Sequence, residues 1–290
     1  MVVKLVKNII RSFDLNKNYK LYRTMQNIVN YPYKKGYLDY LIELKDRNIN
    51  IRCFNVNDDT KDKEIVIFFH GGGWISGSVD SYTNILTNLS ESINRIILAV
   101  DYRLAPEYKF PCGFNDCYDI TKLIAKEVGY KRIVLMGDSA GGNLAASISQ
   151  KLKDELEFRV RKQILIYPAL SCDYKKTSSF QSVISEDNEY FRKHGEDMIN
   201  NYINDEKDLN NPYVAPLKSK KLFFAPRTLI ISCGNDPLKD ECLEYHKKLK
   251  RRLNNSRHVH YDKAYHGFLN NPLEKKYTNM LINEINEFLN

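Results

Sequence analysis

Short apolar runs at 65–69, 96–100, 133–136, 164–167 and 229–233 punctuate the chain, and a stretch at 258–262 alternates apolar with polar positions. Runs of this length and pattern predict β-strands. Between them, segments near 83–93, 114–128, 141–153 and 239–253 carry apolar residues at helical spacing. Strands alternating with helices predict an α/β fold: a mostly parallel central sheet with helices on both faces. The region 38–56 alternates less cleanly and predicts antiparallel strands at the sheet edge. Residues 169–226 break the rhythm, with about 55 polar-rich residues between two strands; a structureless loop of that length inside a compact domain is improbable, so helices are expected there. At the start of the chain, apolar residues at positions 2, 5, 6, 9 and 10 interleave with lysines and predict an amphipathic helix.

Composition narrows the class. A chain of 290 residues with 43% hydrophobic and 28% charged residues is long enough for one α/β domain spanning 1–290, with the balance of a soluble globular protein. No apolar run approaches the ~20 residues of a spanning helix, so no stable membrane insertion is expected. Residues 1–11 lack a long apolar core and a small-residue cleavage site, which predicts a cytoplasmic rather than a secreted protein. Cysteines at 53, 112, 117, 172, 233 and 242 stand singly, and free thiols are expected. The net charge of +8 is densest at 247–252, read as the solvated face of a surface helix rather than as a nucleic-acid or anionic-lipid patch. No nucleic-acid partner is expected, and a homodimer is left open.

The chemistry centres on Ser139. It lies in Gly137-Asp138-Ser139-Ala140-Gly141-Gly142, directly after the apolar run 132–136 and before a helical segment. A serine on such a strand-to-helix turn projects its hydroxyl above the sheet edge; the plainer alternative is a serine that caps the helix. A serine nucleophile needs a base, a carboxylate to orient that base, and donors for the oxyanion. Downstream come Asp236, just beyond the run 229–233, and His266, before Gly267-Phe268. Upstream, the strand 65–69 runs into His70-Gly71-Gly72-Gly73-Trp74, whose glycines leave N–H groups free to face an oxygen. The order serine, acid, histidine matches one of the common serine triads and not the other two.

With these residues, together with Asp101-Tyr102-Arg103-Leu104-Ala105-Pro106-Glu107 and Asp236-Pro237-Leu238 with Asp240, the chain resembles the hormone-sensitive-lipase-like carboxylesterases of the α/β-hydrolase fold and their arylacetamide-deacetylase relatives. The likeness runs from about residue 65 to the last strand. It implies Ser139, Asp236 and His266 as nucleophile, acid and base; the N–H groups of Gly72, Gly73 and Ala140 as oxyanion donors, each worth about 100- to 1000-fold in rate; and a helical cap built from about 1–37 and about 169–226. It also implies a small-molecule ester substrate of short to medium acyl chain, with no cofactor and no metal. A deacetylase or amidase acting on small molecules or sugars, and a non-catalytic receptor, are the alternatives. Asp240 is expected to cap its helix, Asp138 to hold the elbow, Arg103 and Glu107 to pair beneath the glycine loop, and His70 to brace that loop. His258 and His260 share one strand face without an evident third metal ligand, which favours an ordinary solvated face.

Overall fold

The computed structural model describes residues 15–29, 36–155, 159–174, 177–182, 186–271 and 273–290; the amphipathic stretch predicted at 1–11 lies outside them. Eight strands form one sheet: β1 (Tyr37–Glu43), β2 (Asn48–Phe54), β3 (Ile65–Phe69), β4 (Ile97–Asp101), β5 (Ile133–Asp138), β6 (Lys162–Ile166), β7 (Arg227–Asn235) and β8 (Ser256–Tyr265). Their spatial order is β1-β2-β4-β3-β5-β6-β7-β8. β1 and β2 pair antiparallel at one edge, as the weaker alternation there predicts, and every pairing from β4 to β8 is parallel.

The central strands read as unbroken apolar runs because both of their faces are covered. In β3, Ile67 and Phe69 join one core while Val66 and Phe68 join the other; in β5, Ile133 and Leu135 are divided in the same way from Val134 and Met136. This is the two-residue period of a strand. Helices α3 (Cys112–Val128), α4 (Ala140–Asp154) and α7 (Lys239–Arg251) supply the first core through residues such as Phe114, Leu144 and Tyr245. Helices α2 (Val79–Ile93) and α8 (Lys275–Leu289) supply the second through Leu86, Leu89, Leu281 and Phe288. The pattern reading did not single out α8, although Leu281, Ile285, Phe288 and Leu289 recur at helical spacing.

The described residues of the 169–226 stretch carry α5 (Ser178–Ser182), α6 (Glu186–Tyr202) and the 3₁₀ turns Glu206–Asn210 and Pro216–Lys218, so the stretch forms helices of its own. The N-terminal α1 (Leu15–Val29) touches α6, where Asn16 Nδ2 donates to Asp197 Oδ1 at 3.2 Å and accepts through Oδ1 from Asn201 Nδ2 at 2.7 Å. Arg23 of α1 reaches further, donating to the carbonyls of Ile75 and Ala105 and to the Glu107 carboxylate. The predicted Arg103–Glu107 pair is therefore not formed. Arg103 turns instead to the fully buried Asp116, which Arg47 also engages at 2.5 Å. No helix among the described residues is long and apolar enough to cross a membrane.

Candidate active site

Strand β5 ends at Asp138 and the chain turns abruptly into α4. Ser139 sits at the turn with φ 52° and ψ −116°, a conformation that a non-glycine residue occupies at a cost. Neighbouring bonds hold it there: its N–H donates to the Ile166 carbonyl at 2.9 Å, and its own carbonyl accepts from Ala169 N–H at 3.1 Å. Tight packing makes glycine necessary at position 141, where a Cβ would collide with the backbone carbonyls of Phe69 and His70. The elbow and the start of the glycine loop are thereby pressed together. The serine side chain makes no capping bond to α4, which removes the helix-cap reading of its hydroxyl.

That hydroxyl meets His266 instead, with Oγ 2.8 Å from Nε2. The opposite ring nitrogen, Nδ1, lies 3.0 Å from Asp236 Oδ2. Asp236, wholly buried in the loop after β7, also accepts from Leu238 N–H at 2.8 Å, so its carboxylate is fixed at both oxygens. A carboxylate facing Nδ1 places the ring proton there and turns the Nε2 lone pair to the serine hydroxyl. His266 follows β8 and precedes Gly267, which adopts left-handed φ 81°; the rings of Tyr167 and Phe191 pack against it at 4.9 and 5.1 Å. Burial disfavours the charged imidazole, but Asp236, with help from Asp138 and Glu241, outweighs it and leaves the pKa above its ordinary 6.5. The geometry can thus draw a proton from Ser139 and store it as an imidazolium beside a carboxylate.

The glycine segment forms a tight turn. Gly72 (φ 117°) and Gly73 (φ 62°) are left-handed, and the Gly72 carbonyl accepts from Ile75 N–H and Ser76 N–H. The N–H groups of Gly72, Gly73 and Ala140 donate to no backbone carbonyl among the described residues. Helix α6 clamps the turn from outside: Trp74 stacks on Tyr202 at 4.6 Å, and a Cβ on Gly73 would run into the Met198 side chain.

Asp138 links the loop to the elbow, accepting from Gly71 N–H at 2.8 Å and Tyr82 O–H at 2.9 Å; burial pushes its carboxyl up to about 6 despite these bonds. His70 braces the loop as expected: its ring stacks on Tyr102 at 4.3 Å, Nδ1 contacts Gly71 O at 2.8 Å, and burial lowers its pKa, keeping it neutral. Asp240 does not cap α7. Its carboxylate accepts from Ser179 N–H at 2.8 Å and so tethers α5.

One buried acid was not anticipated. Glu241 accepts from Leu170 N–H at 2.6 Å, Ser171 N–H at 2.8 Å and Ser171 O–H at 2.7 Å, fixing the chain beyond β6 against α7; burial raises its carboxyl to about 7. The signal was present, because Glu241 falls on the apolar face of α7 with Cys242, Tyr245 and Leu249, where an acid has to find partners. His258 and His260 both bond Ser232 Oγ at 2.7 Å, and no group suited to hold a metal ion occurs among the described residues.

Comparison with known proteins agrees with this architecture. The chain is 31% identical over 256 residues to an arylesterase of Saccharolobus solfataricus, covering 84% of this chain and 80% of that one. It is 29% identical to an arylacetamide deacetylase of Bos taurus, covering 87% and 81% respectively. Among solved structures, a hyperthermophilic esterase from the archaeon Pyrobaculum calidifontis superposes with a TM-score of 0.85 at 28% identity, covering 98% of this chain and 96% of that one. A family model described as the alpha/beta hydrolase fold matches residues 66–270, and the chain belongs to that family.

Proposed function

We propose that this protein is a serine carboxylesterase that cleaves small-molecule esters through an acyl-enzyme on Ser139. The observation that carries the reading is the unbroken line from Ser139 Oγ through His266 to the buried Asp236. His266 removes the hydroxyl proton as Oγ attacks the ester carbonyl; Gly72, Gly73 and Ala140 N–H groups receive the oxyanion; His266 then returns the proton to the departing alcohol. Water repeats the cycle and releases the acid. Helices α1, α5 and α6 act as a cap over this site. Met198 against Gly73 and Phe191 against His266 crowd the site, which supports short to medium acyl groups over long ones.

The test is initial rates on chromogenic acyl esters of graded length for wild type and Ser139→Ala. Activity that falls by at least about 10⁴-fold in a folded variant is the expected result. Equal rates in the two would sink the nucleophile assignment. An amide reading has its own support in the arylacetamide-deacetylase relative, and an acetanilide in the same assay decides it: turnover of the anilide with none of the esters would replace the esterase reading.

A further inference from the structure

Far from Ser139, at the end of the sheet where β6 and β7 begin, the surface gathers cations around exposed apolar tips. Phe223 is 47% exposed, Phe224 68% and Leu253 93%. The segments that carry these tips or bond to them also expose Arg159, Arg161, Lys220, Lys221, Arg251 and Arg252. The groups form one patch. Arg252 lies over the Phe223 ring and Arg159 over the Phe224 ring, each at 4.6 Å. Asn254 Nδ2 donates to the Leu222 carbonyl at 2.6 Å, tying the end of α7 to the 219–226 loop, and Lys153 of α4 donates to the Lys221 carbonyl. The backbone N–H of Arg227 donates to the Arg161 carbonyl at 2.9 Å.

The apolar tips are held outward at a conformational cost. Phe224 has φ 59°, and Leu253, just past the end of α7, has φ 58°; both are left-handed positions where glycine or asparagine would be cheaper. Among the described residues the charge is also without ion-pair partners. Asp154 and Glu155, at the end of α4, are engaged by Lys153 and Lys151, and none of the six cations forms an ion pair among the described residues. β7 spans nine residues from Arg227 at the patch to Asn235 beside Asp236, which separates patch and active site by roughly 30 Å.

We propose that this patch is a docking surface for an anionic lipid bilayer, with Phe224 and Leu253 entering the interface and the surrounding arginines and lysines meeting acidic headgroups. Fixed apolar tips ringed by cations suit the headgroup boundary of a membrane. A single-stranded nucleic acid would stack bases on open ring faces, and here a guanidinium group already takes one face of each phenylalanine ring, while the bare Leu253 offers a base nothing to stack on. Arg251 and Arg252, at the end of the basic run 247–252, thus gain a partner that their helix position alone did not suggest. Attachment here would leave the Ser139 side facing away from the bilayer and open to substrate from solution.

The experiment is flotation of the full chain with phosphatidylcholine vesicles containing or lacking phosphatidylserine, across a salt series. Phe224→Ser/Leu253→Ser and Arg251→Gln/Arg252→Gln run alongside, with hydrolysis of a soluble ester as the check on folding. Wild type should float only with phosphatidylserine vesicles and release as salt rises. Losing two cations should weaken binding about 25-fold, at about 5-fold each, and losing the apolar tips by about 10-fold or more, with ester hydrolysis unchanged in both. Binding indifferent to phosphatidylserine, no binding at all, or full binding by both variants would overturn the proposal. So would retention on single-stranded RNA by a chain that ignores the vesicles.

Discussion

His266 takes its chemical character from its neighbours. Burial would drive the ring toward neutrality, yet the Asp236 carboxylate at 3.0 Å reverses that and holds the pKa above 6.5. As the proposed base, His266 must be neutral to act, so kcat/KM should fall on the acid side with a midpoint above 6.5. Asp236→Asn should cut kcat by about 10⁴-fold and shift that midpoint downward; an acid limb that stays in place would mean that another group sets it. Asp138 invites a different test. Asp138→Ala leaves the buried Tyr82 O–H without its carboxylate acceptor and Gly71 N–H with only its bond to Tyr82 Oη at 3.0 Å, at about 1–3 kcal/mol for the lost partner, and a lowered Tm with a depressed kcat is the expected result. Ser139, Asp236, His266 and the glycine segment were all legible in the sequence because each directly follows a strand end and carries local turn residues. Arg23 and Asp116 were not. Their partners lie far away in sequence, at 75, 105 and 107 for Arg23 and at 47 for Asp116, so the four-residue spacing of Arg103 and Glu107 suggested a local pair that long-range competitors took over.

At the scale of elements, legibility followed burial. β3 and β5 are covered on both faces, so their sequences are continuous apolar runs that admit one reading. Helix α6 is the opposite case: a polar segment whose Met198, Ile199 and Tyr202 are buried, with Met198 against Gly73 and Tyr202 against Trp74 and Phe110, partners remote in sequence. Its existence followed from the length of the insert, but its ends and its inward residues depend on tertiary partners. The same helix carries a prediction about selectivity. Met198 fills the space outside Gly73, so Met198→Ala should open it to longer acyl chains. The octanoate to acetate ratio of kcat/KM should rise by about 10-fold, in line with the 1–3 kcal/mol that a methylene or two is worth in an apolar pocket. An unchanged ratio with a uniform loss of rate would instead mean that Met198 only steadies the loop.

The molecule as a whole carries opposed proton-linked contributions to stability, and the His258 cluster allows one to be isolated. Burial, with His246 and His260 nearby, depresses His258 to about 4, while Ser232 Oγ sits 2.7 Å from its Nε2. In the unfolded chain the ring titrates near 6.5, so between 6.5 and 4 the unfolded state binds more protons than the folded one. The stabilisation is complete above 6.5 and is lost as pH falls through the folded value near 4. His266 works in the other direction and in another window: its raised pKa gives stability below 6.5 that is lost as pH rises through the folded value. Asp138, raised to about 6, and Glu241, raised to about 7, also favour the folded state in acid, so the net Tm curve of the wild type mixes opposing slopes. The informative quantity is the difference from His258→Gln, which keeps a hydrogen-bonding side chain at Ser232 but cannot gain a proton. The Tm of wild type minus that of the variant should decline steadily as pH drops from 6.5 toward 4 and stay level above 6.5. Parallel curves across that range would mean that His258 is as free to ionise in the folded protein as in the unfolded chain, and that the three-histidine face of β8 and α7 is solvated after all.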